Sequence, residues 1–244
     1  MTSNSTEEYY NGFYKELSKL DELSNTFEKI ESFLPELKGN ESIIDIGCGH
    51  GGVCHELIKK GFDVSGIEIN QDAIKSLKEK GFKILQSDIT KSLNIVERFN
   101  IVCILDVLEH LFDPYLLLKE AKKITKKDGY IIVMIPLYFD IVDRFKILFT
   151  GSVISMDNLC YGKDYYSKFR SYNYDHIRFF RPSDIFEMGE NLGLKVDKIE
   201  YNVTGYGGNN FIFKVLTKLI ANKYTVNLNP SLFAHRMKIR WKVD

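Results

Sequence analysis

A glycine-dense loop is the part of the chain whose residue types best suit a ligand. Residues 43–52 read IIDIGCGHGG, so that Asp45 lies two residues before Gly47. Glycine lets the backbone turn sharply and approach a ligand with no Cβ in the way, and a helix predicted after the loop points its N-terminus back at it. A carboxylate at position 45 repels anions and attracts ammonium groups. The loop therefore favours the amino-acid end of S-adenosylmethionine over a pyrophosphate.

Three further predicted strands also end in acids. Glu68 follows the second strand, where it suits both hydroxyls of a ribose, and Asp88 with Ile89 follows the third, where they suit the amine and the flat face of an adenine. Asp106 ends the fourth strand. The glycines also satisfy the G-x-G-x-x-G dinucleotide fingerprint, and an acid after the second strand serves that fold as well. An NAD-dependent dehydrogenase is therefore an alternative, against which the acid at position 45 weighs.

The motif after the fourth strand, DVLEHLFDP at residues 106–114, carries a family resemblance. Together with the earlier motifs, it makes the chain resemble the class I S-adenosylmethionine-dependent methyltransferases in the order and spacing of motifs over residues 42–136. Within that family the resemblance is to the group that carries this signature, which includes sugar and quinone methyltransferases. The resemblance resumes at HIRFF (176–180) and NPSLFA (229–234). It implies an α/β fold with a doubly wound, seven-stranded, mostly parallel Rossmann-like sheet, and a methyl transfer that releases S-adenosyl-L-homocysteine.

The predicted cofactor-binding residues lie at these strand ends and in the loops that follow them. The acids bind the polar groups of the donor and the glycines leave room for it, while the position of His110 lies close to the cofactor in the resembling family. The residues predicted to bind S-adenosyl-L-methionine are Asp45, Gly47, Cys48, Gly49, Gly51, Glu68, Ile69, Asp88, Ile89, Leu105, Asp106 and His110.

Two histidines are candidate catalytic residues. A hydroxyl acceptor needs a base, because a neutral alcohol is a poor nucleophile. His176 lies between a long insertion and the helix that follows it, where it is either a base that faces the substrate or a structural tie between insertion and core. His110 is a second candidate base, or it orients the amino-acid end of the donor.

Residues 137–181 are predicted to form a lid insertion after the fifth strand, and they carry six of the 14 tyrosines, with cations interleaved. Flat faces with hydroxyl tips beside cations suit a sugar or a phosphorylated small molecule. The candidate substrate-binding residues are Tyr138, Tyr166, Arg170, Tyr174 and Arg178. The apolar stretch 141–149 is able to touch a bilayer, although such a helix more often packs on its own domain. The predicted reaction is O-methylation of a small molecule, first a sugar or nucleotide-linked metabolite, with a quinone or lipid at the membrane surface as the alternative.

Short apolar runs alternate with helical stretches from residue 42 onward, which is typical of a parallel sheet wound on both faces. The pattern predicts strands at 42–46, 63–67, 82–86, 99–105, 130–135, 195–201 and 233–243. It predicts helices at about 51–60, 71–80, 115–125 and 183–192, and Gly129 is expected to stop the lysine-rich helix end that precedes it.

The last predicted strand places four cations, at positions 236, 238, 240 and 242, on one face. In the favoured interpretation the charged heads reach water beyond a covering helix, and in the alternative the face is open to a partner. The chain divides into an N-terminal helical segment, residues 1–40, and a methyltransferase domain, residues 41–244. In the resembling family such N-terminal helices cover the cofactor, and a packing helix without ligand contact is the alternative.

The composition limits which partners and which cellular location we expect for the protein. The 33 basic residues balance 33 acidic ones, so no overall field would hold duplex nucleic acid. No run reaches about 18 uncharged apolar residues, and the N-terminus shows no signal-peptide pattern. We therefore expect a cytoplasmic monomer or homodimer without stable membrane insertion.

A metal site is not predicted. The four cysteines show no C-x-x-C spacing, and free thiols are the simpler interpretation. Cys48, His50, Cys54 and His55 lie within eight residues. However, neighbouring side chains on a helix point about 100° apart, and the loop that carries Cys48 is needed for the cofactor.

Overall fold

The computed structural model describes residues 26–36, 39, 41–150, 176–203 and 222–244. Their strands are β1 Ser42–Ile46, β2 Asp63–Glu68, β3 Lys83–Gln86, β4 Phe99–Leu105, β5 Thr125–Pro136, β6 Lys195–Asn202 and β7 Arg236–Lys242. The strands form one sheet in the order β3-β2-β1-β4-β5-β7-β6. Strands β1 to β5 are parallel, and β7 runs antiparallel between β5 and β6. The predicted seven-stranded, mostly parallel sheet is thus confirmed.

The described helices are α1 Thr26–Glu31, α2 Gly52–Lys59, α3 Gln71–Glu79, α4 Pro114–Ile124, α5 Ile141–Thr150, α6 Pro182–Asn191, α7 Lys223–Leu228 and α8 Pro230–Phe233, with a 3₁₀ turn at Leu108–His110. Local sequence sets their starts. The Asn70 side chain accepts the Ala73 amide at the start of α3, and Asp113 accepts the Leu116 amide at the start of α4. Such caps satisfy amides that have no partner within the helix.

The sheet is covered on both faces. Successive side chains of a strand point to opposite sides, and accordingly Ile43 packs in a cluster with Phe33 and Leu57, whereas Ile44 packs in a cluster with Trp241. All five side chains are buried. Burial on both faces explains why the central strands are nearly continuous apolar runs rather than alternating ones.

The strand order creates a crevice at the carboxyl ends of β1 and β4. The chain moves outward from β1 through β2 to β3 and then returns to β4 on the other side of β1. Loops that follow neighbouring strands diverge at such a reversal, and ligands of open α/β sheets bind there. The glycine loop follows β1, and Asp106 follows β4. The topology therefore brings the first and the last of the predicted acids to one edge.

The boundary between α4 and β5 differs from the prediction. The helix ends at Ile124, and β5 begins at Thr125, which pairs with Phe99 of β4. The Thr125 hydroxyl donates to the Ala121 carbonyl at 2.7 Å and so closes the last helical turn. Gly129 lies within β5 and does not stop the helix. The prediction was wrong at this point because strand pairing begins before the glycine is reached.

The favoured interpretation of the cations on β7 was also wrong. Each pairs with a carboxylate rather than only with water, and the Lys238 side chain is 3% exposed. The ring of Phe33 lies 5.6 Å from the Lys238 ammonium and 5.9 Å from the Arg240 guanidinium. The pairs are Arg236 with Asp106, Lys238 with Glu200, Arg240 with Asp197 and Lys242 with Asp128. Acids from three separate segments meet this strand, which no local pattern reveals.

Two predicted regions are described only in part. Of the N-terminal helical segment, the structure describes α1 and the residues that follow it as far as position 36, together with residue 39. Of the lid insertion, it describes residues 137–150 and 176–181. Three candidate substrate-binding residues, Tyr166, Arg170 and Tyr174, lie outside the described residues, as does Cys160. Among the described residues no helix is long and apolar enough to cross a membrane.

Candidate active site

The loop after β1 has a backbone conformation that requires glycine. Gly47, Gly49 and Gly51 have φ angles of 74°, 53° and 78°, in the left-handed region that side chains disfavour. A Cβ on Gly47 would lie 2.8 Å from Cγ2 of Val107. The Gly47 amide donates to the Ile67 carbonyl of β2 at 2.9 Å. The loop is therefore a bare turn, held against β2 and against the segment that follows β4.

Asp45 is buried beneath this loop. Its side chain accepts a weak bond from the Cys54 thiol, with Sγ 3.8 Å from Oδ2. Burial raises the pKa of Asp45 to about 7. The hydrogen bond with Cys54 and burial raise the pKa of the Cys48 thiol, which stays neutral in this setting. A buried acid whose described partner is a thiol suits a cationic group, such as the ammonium of an amino acid.

Glu68 links the glycine loop to the end of β2. Its Oε2 accepts the Gly49 amide at 2.8 Å, and its Oε1 accepts the amides of Ile69 and Asn70 at 2.8 and 2.9 Å. The residue is buried. Since each carboxylate oxygen accepts more than one hydrogen bond, Glu68 is able to hold the loop and still accept hydroxyl groups.

Asp88 lies after β3, at the far side of the row. Its Oδ1 accepts the amide and the hydroxyl of Thr90 at 3.0 and 2.6 Å, and the Lys91 ammonium lies 2.9 Å from Oδ2. Partial burial opposes the charged form, but these bonds outweigh it and lower the pKa of Asp88. The carboxylate is therefore an acceptor for an amine. Its neighbour Ile89 is half-buried, as is Ile69, and Leu105 at the end of β4 is buried.

Asp106 is ion-paired with Arg236, a residue that the sequence did not assign to the site. Both carboxylate oxygens contact Nη1 of the guanidinium, Oδ2 at 2.6 Å. Asp106 itself has a positive φ of 54°. The cation comes from the first residue of β7, which is antiparallel and therefore begins at the edge where β4 ends.

A second group of side chains meets beyond Asp106, around the 3₁₀ turn. The rings of His110 and His176 make an edge contact with their centres 4.6 Å apart, and the Tyr138 hydroxyl is hydrogen-bonded to Nδ1 of His176. Oε1 of Glu109 lies 4.0 Å from Nε2 of His176. Burial raises the pKa of Glu109 to about 7. The two predicted catalytic histidines and one predicted substrate-binding tyrosine are thus brought together, with an acid that the sequence analysis missed.

The backbone near His176 is anchored to the same turn. The amides of Ile177 and Arg178 donate to the Glu109 carbonyl at 2.9 and 3.0 Å. The Arg178 guanidinium, predicted to bind substrate, donates to the carbonyls of Leu111 and Phe112, to the first at 3.3 Å. Arg178 therefore ties the end of the lid insertion to the turn in the described state.

Side chains able to bind a metal meet in this second cluster, among the described residues, and not in the stretch from Cys48 to His55 that the sequence analysis considered. Among the described residues, Glu109, His110 and His176 each bring one oxygen or nitrogen within 4.8 Å of the others. Cys48, Cys54 and Cys103 are buried free thiols. The absence of a metal site stays a prediction.

The geometry agrees with the results of three comparisons. The family model described as "Methyltransferase domain" matches residues 18–199. A relative named ubiquinone biosynthesis O-methyltransferase, from Nitrosomonas europaea, is 23% identical over 228 residues, 90% of this chain and 86% of the relative. A relative of the same name from Colwellia psychrerythraea is 28% identical over 174 residues, 67% of this chain and 66% of the relative.

Solved structures of similar fold cover nearly the whole chain. A SAM-dependent methyltransferase from Archaeoglobus fulgidus has a TM-score of 0.61 and 21% identity, and it covers 96% of this chain and 99% of that one. A Thermotoga maritima structure, described as a possible histamine N-methyltransferase, has a TM-score of 0.62 and 17% identity, with 98% and 99% covered. These matches confirm the predicted fold and support S-adenosylmethionine as the methyl donor.

The family match decides against the dehydrogenase alternative. It spans the glycine loop, the row of acids and the second cluster in one continuous stretch of well over half of the sequence. The chain therefore belongs to the methyltransferase domain family.

Proposed function

We propose that this methyltransferase transfers a methyl group from S-adenosylmethionine to a hydroxyl of a quinone precursor or a similar lipophilic phenol. The observation that carries the proposal is the meeting of His176 with Tyr138 and Glu109 beside the carboxyl end of β4. The name shared by the relatives, ubiquinone biosynthesis O-methyltransferase, supports a quinone acceptor more than the sugar that the sequence favoured.

The residues present fit the donor. Asp45 offers a buried carboxylate for its ammonium group, the turn at Gly47 and Gly49 offers backbone without side chains, and Glu68 and Asp88 offer acceptors for ribose hydroxyls and an adenine amine. When bound, the donor supplies a carbon already activated by a sulfonium. The protein then has to position the two reactants and exclude water, which is where most of the acceleration of such a displacement arises.

His176 is the proposed base. A phenol is a weak nucleophile until its proton is removed, and an imidazole is suited to accept that proton near neutral pH. The amides of Ile177 and Arg178 donate to the Glu109 carbonyl and so anchor the backbone that follows His176. His110 and Tyr138, which contact the ring, complete the proposed acceptor site.

The outer face of α5 supports a lipophilic acceptor reached from a membrane surface. Phe145, Leu148 and Phe149 are 56%, 73% and 77% exposed, and the rings of Phe145 and Phe149 stack with an interplanar angle of 4°. A contiguous exposed apolar patch on one helix marks an interaction surface, and lipid is the partner that fits a lipophilic acceptor. Soluble small-molecule acceptors and a cytoplasmic location remain compatible with contact of this reversible kind.

The proposal is tested by offering the protein S-adenosylmethionine together with matched acceptors. A catechol with an alkyl side chain, the same catechol without it, and a nucleotide-linked sugar are compared, and the methylated product and S-adenosyl-L-homocysteine are quantified by mass spectrometry. We expect turnover with the alkyl catechol and a smaller kcat/KM with the short one. Turnover of the sugar alone would contradict the phenolic acceptor and restore the sugar hypothesis.

A further inference from the structure

Glu109 is the most deeply buried acid of the site, with a side chain that is 1% exposed. Neither of its carboxylate oxygens has a hydrogen-bond partner among the described residues. A buried carboxylate without a partner costs free energy that a purely structural residue would have no reason to impose. Nε2 of His176 lies 4.0 Å from its Oε1. Glu109 therefore faces the proposed base, and a small movement of either side chain would bring the two within hydrogen-bond distance.

Both nitrogens of His176 have defined surroundings. Nδ1 contacts the Tyr138 hydroxyl, and Nε2 faces Glu109. The carbonyl of the same Glu109 accepts the amides of Ile177 and Arg178, so backbone and side chain of one residue act on the same ring. An imidazole with a carboxylate on one nitrogen is held in the tautomer whose other nitrogen accepts a proton.

The other charged groups that face Glu109 do not replace this pairing. His110 follows it in the turn, and the electrostatic effects of Asp106 and Arg236 on Glu109 oppose each other. Those two residues are also paired with one another. The imidazole of His110 lowers the pKa of Glu109, and that of His176 lies 4.0 Å from Oε1, so both rings are near the carboxylate.

We propose that Glu109 is the positioning residue of the transfer: its carboxylate orients His176 and stabilises the imidazolium that forms when the ring takes the proton of the acceptor. The inference rests on the proposed function. The acceptor oxygen forms the new bond to the methyl carbon, and the bond from that carbon to sulfur breaks with its electron pair on sulfur. The proton moves to Nδ1 of His176 through the Tyr138 hydroxyl, which gives its own proton to Nδ1 and takes that of the acceptor. Above the raised pKa of Glu109, about 7, the residue acts as a carboxylate and stays one during the step.

The test replaces the charge without changing the shape, in the variant Glu109→Gln. We expect kcat to fall about 100-fold, while the acceptor KM and the affinity for S-adenosyl-L-homocysteine by calorimetry stay within about 2-fold. Because an anion favours the charged imidazole, the acidic limb of the kcat profile and the ¹⁵N-detected titration of the His176 ring should both move to lower pH, by about one pH unit. Glu120→Gln is the matched control, since Glu120 is a buried acid bound by Ser92 and Lys123.

Three results would overturn the proposal. One is a Glu109→Gln variant with the wild-type rate and an unmoved His176 titration. Another is a double variant, Glu109→Gln with His176→Ala, whose kcat is lower than that of His176→Ala by the full factor that Glu109→Gln causes alone. Residues that act as a pair should not show such additive effects. The third is an activity abolished by EDTA and restored by Mg²⁺ or Zn²⁺, which would make the cluster a metal site.

A further variant and a separate readout keep the outcomes distinct. Glu109→Asp retains the charge, so its pH profile should stay near that of the wild type even if its rate falls; a profile equal to that of Glu109→Gln would count against the charge. If the wild-type protein methylates no phenol, the proposed function fails, whereas the His176 titration in the S-adenosyl-L-homocysteine complex still decides whether Glu109 acts on the ring.

Discussion

Arg236, at the start of β7, contacts both carboxylate oxygens of Asp106 through Nη1, although the two residues are 130 positions apart in the chain. The pair joins the antiparallel strand to the loop that begins the second cluster. It gives Asp106 a described partner at the edge where the donor is proposed to bind. The role predicted for Asp106 therefore depends on a residue from the other end of the domain.

Removing this cation should weaken donor binding more than it weakens the fold. In Arg236→Met, we expect the unfolding free energy to change by no more than about 1 kcal/mol, because the pair is partly exposed. The Kd for S-adenosyl-L-homocysteine, measured by calorimetry, should rise several-fold as the loop loses its tether. Lys242→Met, which removes the cation at the opposite end of β7, is the control. An equal loss of affinity in both variants would show that the effect is not local.

Donor binding should depend on the ionisation of Asp45. In Asp45→Asn, we expect affinity for S-adenosyl-L-homocysteine to fall roughly 10- to 100-fold, the value of a hydrogen bond to a charged group. Because the pKa of Asp45 is raised to about 7, the carboxylate is present above that pH, and wild-type affinity should be lost as pH falls from 8 to 6. The Asn variant should lack this dependence. Asp63→Asn, an exposed acid of β2, should retain both the affinity and the pH profile; a pH-independent wild type would disprove the assignment.

The glycine loop should tolerate no methyl group at Gly47. Gly47→Ala combines a φ of 74° with a contact of 2.8 Å to Val107, so we expect a loss of stability of about 1–3 kcal/mol and weak donor binding. Gly81→Ala separates the two causes, because Gly81 has a φ of 83° and open space around its Cβ position. It should lose about 1–2 kcal/mol and bind the donor normally. Calorimetric binding and urea unfolding measure the two quantities.

Loss of the proposed base should affect turnover and not donor binding. In His176→Ala, we expect kcat for the phenolic acceptor to fall about 10²- to 10⁴-fold, with the Kd for S-adenosyl-L-homocysteine unchanged. His55→Ala is a suitable control, since His55 is an exposed histidine of α2 whose ring contacts Phe82. If His176→Ala methylates the phenol at the wild-type rate, His176 is not the base and only its alternative role, as a structural tie between insertion and core, is left.

The exposed face of α5 should mediate contact with lipid. The double variant of Phe145 and Leu148 to Asp should no longer sediment with anionic phospholipid vesicles, because two charges cannot be buried among acyl chains. Val96→Asp, at a side chain 96% exposed before β4, is the control for charge alone. Turnover of a short, soluble catechol should be the same in all three proteins. Unchanged sedimentation of the double variant would rule out α5 as the contact.

Much of the fold was predictable because its signals are local. The bounds of β1 and β4 agree with the prediction, since buried strands are short apolar runs, and α3 begins after its capping residue Asn70. The glycine loop was predictable for the same reason: positive φ angles require glycine, whatever lies around them. The start of β5 was not predictable, because Thr125 already pairs with Phe99, five residues before the predicted start of the strand.

The second cluster depended on contacts between distant segments. The letters of the motif place Glu109 and His110 side by side, but nothing local indicates that the acid is buried and faces His176, 67 positions further on. The same holds for the cations of β7, whose alternation predicted a strand but not their carboxylate partners. By itself, the sequence determined the sheet, the bare turn and the row of acids, because periodicity and backbone freedom are properties of neighbouring residues. Only the tertiary structure decided which charges meet, because a side chain's partner depends on where the whole chain brings the other segments.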